Sequence, residues 1–345
     1  MKNIEFSTCV EAENKIWFVT TGGYFMNYNP EMESAQIVFP NNLDEINFRF
    51  IENPMIYFKN KIYFLEQDGS LLYEYDIRAN RCNYYSFSKK KSGIFNGFVG
   101  AHLFQNRIYL FGKRMGQIYY FDVNSKQFTE ISKKDGKIVS YTKLYNDKIY
   151  AAVESAFFCY DPVTDQITER MNFHGEIIHS FAKDEDCVYL LTRSNKVLLW
   201  DMKNDKYQTI YQENSDKQVY GRILITRNKL FLLPCLGTHI CVIAKKEKAA
   251  MLEAEPEDLK YSGRNWSKYH GFCENDKYIY CANRMANYFL AINKDTEKIE
   301  WKKMPESDKK SQLKYLNLKK SLNHTFNESE IDLNTFLIQL EAGNI

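Results

Sequence analysis

One phrase recurs seven times along this chain: a polar turn centred on Asn or Asp, then a short run of Ile, Val, Leu and aromatic residues. It reads Asn14-Lys15-Ile16-Trp17-Phe18, Asn60-Lys61-Ile62-Tyr63-Phe64, Asn106-Arg107-Ile108-Tyr109-Leu110 and Asp147-Lys148-Ile149-Tyr150. It continues as Asp186-Cys187-Val188-Tyr189-Leu190, Asn228-Lys229-Leu230-Phe231-Leu232 and Asp276-Lys277-Tyr278-Ile279-Tyr280. From Ile16 to Ile279 is 263 residues in six steps, a period of about 44, which falls in the range of propeller blades.

The third copy shows the internal grammar. Val99-Gly100-Ala101-His102-Leu103-Phe104 reads as a first strand, Gln105-Asn106-Arg107 as a tight turn and Ile108-Tyr109-Leu110-Phe111 as a second strand. That second strand has no polar alternation, the pattern of a strand covered on both faces. Gln117 to Phe121 returns as a third strand, and Gln127 to Ile131 follows a turn as a fourth. Asn tolerates a left-handed backbone, so positions 14, 60, 106 and 228 are expected to turn that way. Asp76, Asp122, Asp161 and Asp201, with Asn29 and Asn293, head the turn before the fourth strand. Their side-chain oxygens can accept from turn amides two residues on.

Four antiparallel strands in each of seven copies predict an all-β, seven-bladed propeller over residues 1–303, with blades starting near 4, 52, 98, 139, 178, 219 and 268. Every blade reads as complete in itself, so ring closure is expected from side-chain packing between blades one and seven. Residues 304–345 fall outside the repeat and read as a short helical tail, with Leu313, Tyr315, Leu316, Leu318 and Leu322 on a broad apolar stripe. The stretch from 244 to 265 reads as a long connection with a short helix before Pro256.

Composition narrows the function classes. Tyr and Phe, at 25 and 24 residues, suit strands packed between other sheets. A net charge of +2 with both signs interspersed supplies no basic face for nucleic acid. No apolar run approaches membrane-spanning length and the opening residues lack a signal-peptide core, so a soluble cytoplasmic protein is expected. The eight cysteines include no CxxC pair, and His174 with His179 lacks a third ligand, so neither a metal nor a cofactor is expected.

Tyr73-Glu74-Tyr75-Asp76, Tyr119-Tyr120-Phe121-Asp122 and Cys159-Tyr160-Asp161-Pro162-Val163-Thr164, with Trp301 on an outer strand and Gly22-Gly23 after a second strand, resemble the repeat of kelch-type and galactose-oxidase-like propellers. The resemblance implies a rigid ring that presents loops to a ligand.

Strand polarity gathers the loops after second strands and the starts of first strands on one face, the mouth of the central channel. Glu66, Arg114, Glu154, Arg193, Arg222, Trp266, Tyr269 and Arg284 fall there and are the candidate binding residues. Arg offers a rigid fork for carboxylates, and Trp or Tyr a flat apolar surface. Two functions fit. One is a non-catalytic binding scaffold that takes a protein or peptide partner on this face. The other is a lyase or epimerase acting on an acidic sugar, with His179, His270 and Glu154 as the candidate acids and bases. A funnel with converging His, Glu and Arg would favour the enzyme, and a flat apolar face the scaffold.

Overall fold

A computed structural model describes residues 6–20, 24–42, 54–65, 71–86, 98–113, 117–132, 137–215, 217–235, 237–246, 249–256, 268–283, 288–303, 311 and 314. Among them, 28 strands, numbered β1 to β28 in chain order, form seven four-stranded antiparallel sheets. Each sheet is one contiguous stretch of chain, and each of its strands pairs with the next in sequence. The fold is a seven-bladed β-propeller. The first strands of the blades are β1 (Phe6–Ala12), β5 (Ile56–Phe58), β9 (Phe98–Phe104), β13 (Val139–Tyr145), β17 (Ile178–Asp184), β21 (Tyr220–Ile225) and β25 (Tyr269–Glu274).

The second strands explain why the repeated phrase is apolar throughout. Ile62 and Phe64 pack toward blade one while Tyr63 and Leu65, between and beyond them, pack toward blade three. In blade five, Val188 and Leu190 join blade four, whereas Tyr189 and Leu191 join blade six. All eight side chains are buried. Each contributes roughly 1.5–3 kcal/mol of apolar burial, and neither face of the strand is left for a polar residue. Fourth strands have no such cover: β16 (Gln166–Asn172) is exposed over most of its length.

Ring closure uses the same packing. Tyr280 and Ala282 of blade seven share a core with blade one, and Phe289 sits 5.6 Å from the rings of both Phe18 and Tyr28. Among the described residues, no strand is exchanged between the first and last blades.

The turns partly follow the sequence expectation. Glu13-Asn14, Lys59-Asn60 and Asn146-Asp147 are left-handed pairs, the geometry of two-residue hairpins that match strand twist. Asn106 and Asn228 are not left-handed; in blade three Gln105 takes that conformation instead. Asn228 has a different task, its backbone N–H donating to Glu297 Oε1 at 2.7 Å across the boundary between blades six and seven. The turn-heading carboxylates and amides behave as expected. Asp76, Asp122 and Asp201, like Asn29 and Asn293, each accept from two amides two and three residues on.

The helix expected before Pro256 is replaced by a strand. Ala250–Ala254 is β24, the outer strand of blade six, paired to β23 (His239–Ala244). Met251 and Leu252 are exposed there because no blade covers an outer edge. Of the tail, Ser311 and Lys314 are described and helical, with Lys314 Nζ 5.1 Å from the Phe39 ring centroid; the rest lies outside the described residues.

Candidate functional site at the channel mouth

The mouth is stitched together by backbone. Glu154 N donates to Ile138 O, Arg193 N to Ile177 O and Cys235 N to Val219 O, each tying the loop after a second strand to the residue preceding the same blade's first strand. Val139 N donates to Lys113 O and Ile178 N to Glu154 O, linking each blade to the one before. These bonds set the height at which the first side chains of β13, β17 and β21 enter the channel.

Three of the predicted residues come together there. Arg222, third in β21, places Nη1 3.4 Å from His179 Nε2, second in β17, and 2.9 Å from Gly221 O. Its guanidinium carbon stands 5.3 Å from the ring centroid of Tyr141 in β13. Arg193 is exposed beside this group, close enough that its charge acts on His179. Burial, then Arg222 and Arg193, pull the His179 imidazole down to about 3, so the ring is neutral near pH 7. Burial also lowers Arg222 against the opposing influence of Tyr141 and Cys235, without bringing it near neutrality. Arg222 Nε and His179 Nδ1 are shut off from solvent and have no hydrogen-bond partner among the described residues.

Glu154 does not join them. It has a left-handed backbone with φ of 52°, and its Oε1 accepts from Ile138 N at 3.4 Å, so its carboxylate serves its own loop.

 Tyr269 is fully buried, and its hydroxyl donates to Glu255 Oε1 at 2.5 Å; Lys268 Nζ lies 3.0 Å from Glu255 Oε2. Tyr269 is therefore spent in the joint between blades six and seven and offers no surface to a ligand. Glu66, Arg114, Trp266 and Arg284 lie outside the described residues, as does the side chain of His270. Among the described residues, no group of three His, Cys, Asp or Glu side chains could hold a metal ion, and no helix is long and apolar enough to cross a membrane.

The opposite end of the channel, where the hairpin turns between first and second strands lie, is also hollow. A cavity of about 360 Å³ opens there, lined among others by Glu11, Tyr57, His102, Phe272, Cys273 and Glu274. Burial pushes Glu11 up, against a hydrogen bond from Asn14 N. Burial also pushes Glu274 up, but Lys294 and Lys143 outweigh it and hold the carboxyl below its ordinary range. His102 Nε2 lies 2.8 Å from Thr142 Oγ1, and burial, then Lys143, pull its imidazole down to about 3. Sequence reasoning missed this end because its residues sit in the later halves of first strands, where nothing in the repeat marks which side chains meet across the ring.

No protein-family model and no curated protein matches the sequence. Solved structures do match in shape. PorZ, a bacterial surface component of the type-IX secretion system of Porphyromonas gingivalis, aligns with a TM-score of 0.61 at 15% identity, over 89% of this chain and 39% of that one. The likeness is one of fold. The extracellular domain of a one-component system from B. thetaiotaomicron aligns with a TM-score of 0.61 at 11% identity, over 87% and 46% of the two chains. A catalytically inactive virginiamycin B lyase from Staphylococcus aureus, solved with quinupristin, aligns with a TM-score of 0.60 at 13% identity, over 82% and 93%. The chain thus spans less than half of the first two structures and nearly all of the third. At these identities the kelch-type resemblance gains no support as a family assignment; the seven-bladed ring does.

Proposed function

We propose that this chain is a non-catalytic binding module that receives a protein or peptide partner at the channel mouth, between blades four and six. The observation that carries the reading is the Arg222 guanidinium, set into the channel with a nitrogen that has no acceptor among the described residues. A buried cation without a counter-charge is costly, and an acidic group brought by a partner would offset that cost. The mouth is built for holding rather than turnover. Glu154 is engaged by its own loop, and an imidazole pulled down to about 3 is a poor general base at neutral pH.

Hydrogen–deuterium exchange with a bound partner tests this. Slowed exchange at 138–142, 177–180, 193–196 and 220–222 is the expected footprint. Protection confined to outer strands such as Gln166–Asn172 would overturn the reading. Turnover of a polyuronate into unsaturated, ultraviolet-absorbing ends would replace it with the enzyme.

A further inference from the structure

Arg222 and His179 fix one another's hydrogen-bonding roles. A guanidinium only donates, so in the 3.4 Å contact between Arg222 Nη1 and His179 Nε2 the imidazole nitrogen is the acceptor. The ring proton of the neutral imidazole then sits on Nδ1. His179 Nδ1–H and Arg222 Nε–H are therefore both donors, both sealed from solvent and both without an acceptor among the described residues. Nη1 is already engaged with Gly221 O and His179, which leaves the Nε edge of the guanidinium, covered in this conformation, as the one whose Nε–H has no acceptor among the described residues. That edge is one that takes a carboxylate with two parallel bonds.

We infer that Arg222 and His179 form a niche for a peptide carboxylate, with the carboxylate on the Nε edge of Arg222 and His179 Nδ1–H donating to an oxygen of the same peptide. This rests on the binding reading above and names the group that the mouth receives.

The surrounding side chains favour a peptide over a sugar. A sugar ring brings many hydroxyls that each need a partner, and among the described residues the polar side chains next to the niche, exposed Arg193 aside, are already committed. Ser180 Oγ accepts from Ile223 N, and the Asn195 amide bonds Val219 N and Lys217 O. Tyr141 gives Arg222 an aromatic face and packs edge-on against Phe181 at 5.2 Å. Among the described residues, what remains is a pair of donors beside aromatic surface, with exposed Arg193 adding positive charge nearby, matched to a carboxylate and a neighbouring carbonyl.

The test is calorimetric titration of the full chain with three probes: a tripeptide with a free C-terminal carboxylate, the same tripeptide as its C-terminal amide, and galacturonate. The free tripeptide is expected to bind, and the amide and galacturonate to bind about tenfold more weakly or worse, the size of one lost charge-assisted hydrogen bond. Arg222→Met is expected to lose the tripeptide by a similar factor. His179→Ala should weaken it, and His179→Asn, whose amide N–H can stand where Nδ1–H stood, should restore part of the loss. Thermal unfolding separates binding from misfolding: without ligand, Arg222→Met should melt at or above the wild-type temperature, because it removes an uncompensated charge. A large drop in melting temperature would make Arg222 a structural group and overturn the niche. So would equal binding of the tripeptide and its amide, or tighter binding of galacturonate. A partner that footprints on the mouth yet ignores Arg222→Met would overturn the niche while leaving the binding reading intact.

Discussion

Gly271 lies against Thr8 so closely that a Cβ on it would stand 2.6 Å from Thr8 Cα and 2.8 Å from Cys9 N. Both obstacles are backbone, so no side-chain rotation relieves the clash. β25 and β1 meet here, at the seam between the last blade and the first, and the ring closes at this distance because residue 271 has no side chain. Gly271→Ala is expected to destabilise the protein by about 1–3 kcal/mol through overpacking, seen as a lower urea midpoint. An unchanged midpoint would show that the seam can open slightly at no cost.

Glu74 is buried between blades two and three and is held by Lys61 at 2.7 Å and by Lys126. Burial pushes its carboxyl up, but the two lysines outweigh it and keep it below the ordinary range. Glu74→Ala should cost about 1–3 kcal/mol, less than the loss of a fully buried pair, because both lysines retain partial access to water. Chemical denaturation checks it, and a loss under a few tenths would mean the lysines turn out to solvent freely.

His102 and His179 are both pulled down to about 3. An unfolded histidine takes up a proton near pH 6.5, so below that pH the unfolded state binds more protons than the native one. Stability therefore falls as pH drops from about 6.5 toward 4, by up to about 1.4 kcal/mol per unit for each histidine. Glu74 and Glu274, whose carboxyls are held low, add a further loss only below about pH 4.5. The His102→Gln, His179→Asn double variant should flatten the melting temperature between pH 6.5 and 4.5. A profile as steep as wild type would place the titration elsewhere.

Tyr269→Phe removes the hydroxyl that donates to buried Glu255. The expected cost is about 1–3 kcal/mol, because the acceptor stays buried, with no change in tripeptide binding, since this joint is separate from the niche. Weaker tripeptide binding in a stable, folded variant would return Tyr269 to the ligand surface.

Much of the ring was legible in the repeat. The Asn-Lys-Ile-Tyr-Phe run of blade two marked a strand buried on both faces, and the turn at Asp76 announced its own hydrogen bonds. The edges were harder. Ala250–Ala254 lies among charged residues on an exposed outer strand, where no burial imposes alternation, so its strand character left little trace in the sequence. Asn228 looked like a left-handed turn residue until Glu297, 69 positions away, proved to be its partner. At the candidate site, strand polarity placed His179, Arg193, Arg222 and Glu154 on one face. It carried no information on which side chains converge.

Local chemistry determined the blade by itself: apolar period, turn residues and the number of copies follow from interactions within about 44 residues. The contacts that make a site join residues one or more blades apart. Arg222 meets His179 and Tyr141 only because the ring brings β13, β17 and β21 side by side around one channel. Closure at Gly271 and Thr8 is likewise a relation between the two ends of the ring. Such pairings depend on the curvature of the whole assembly, which no single repeat encodes.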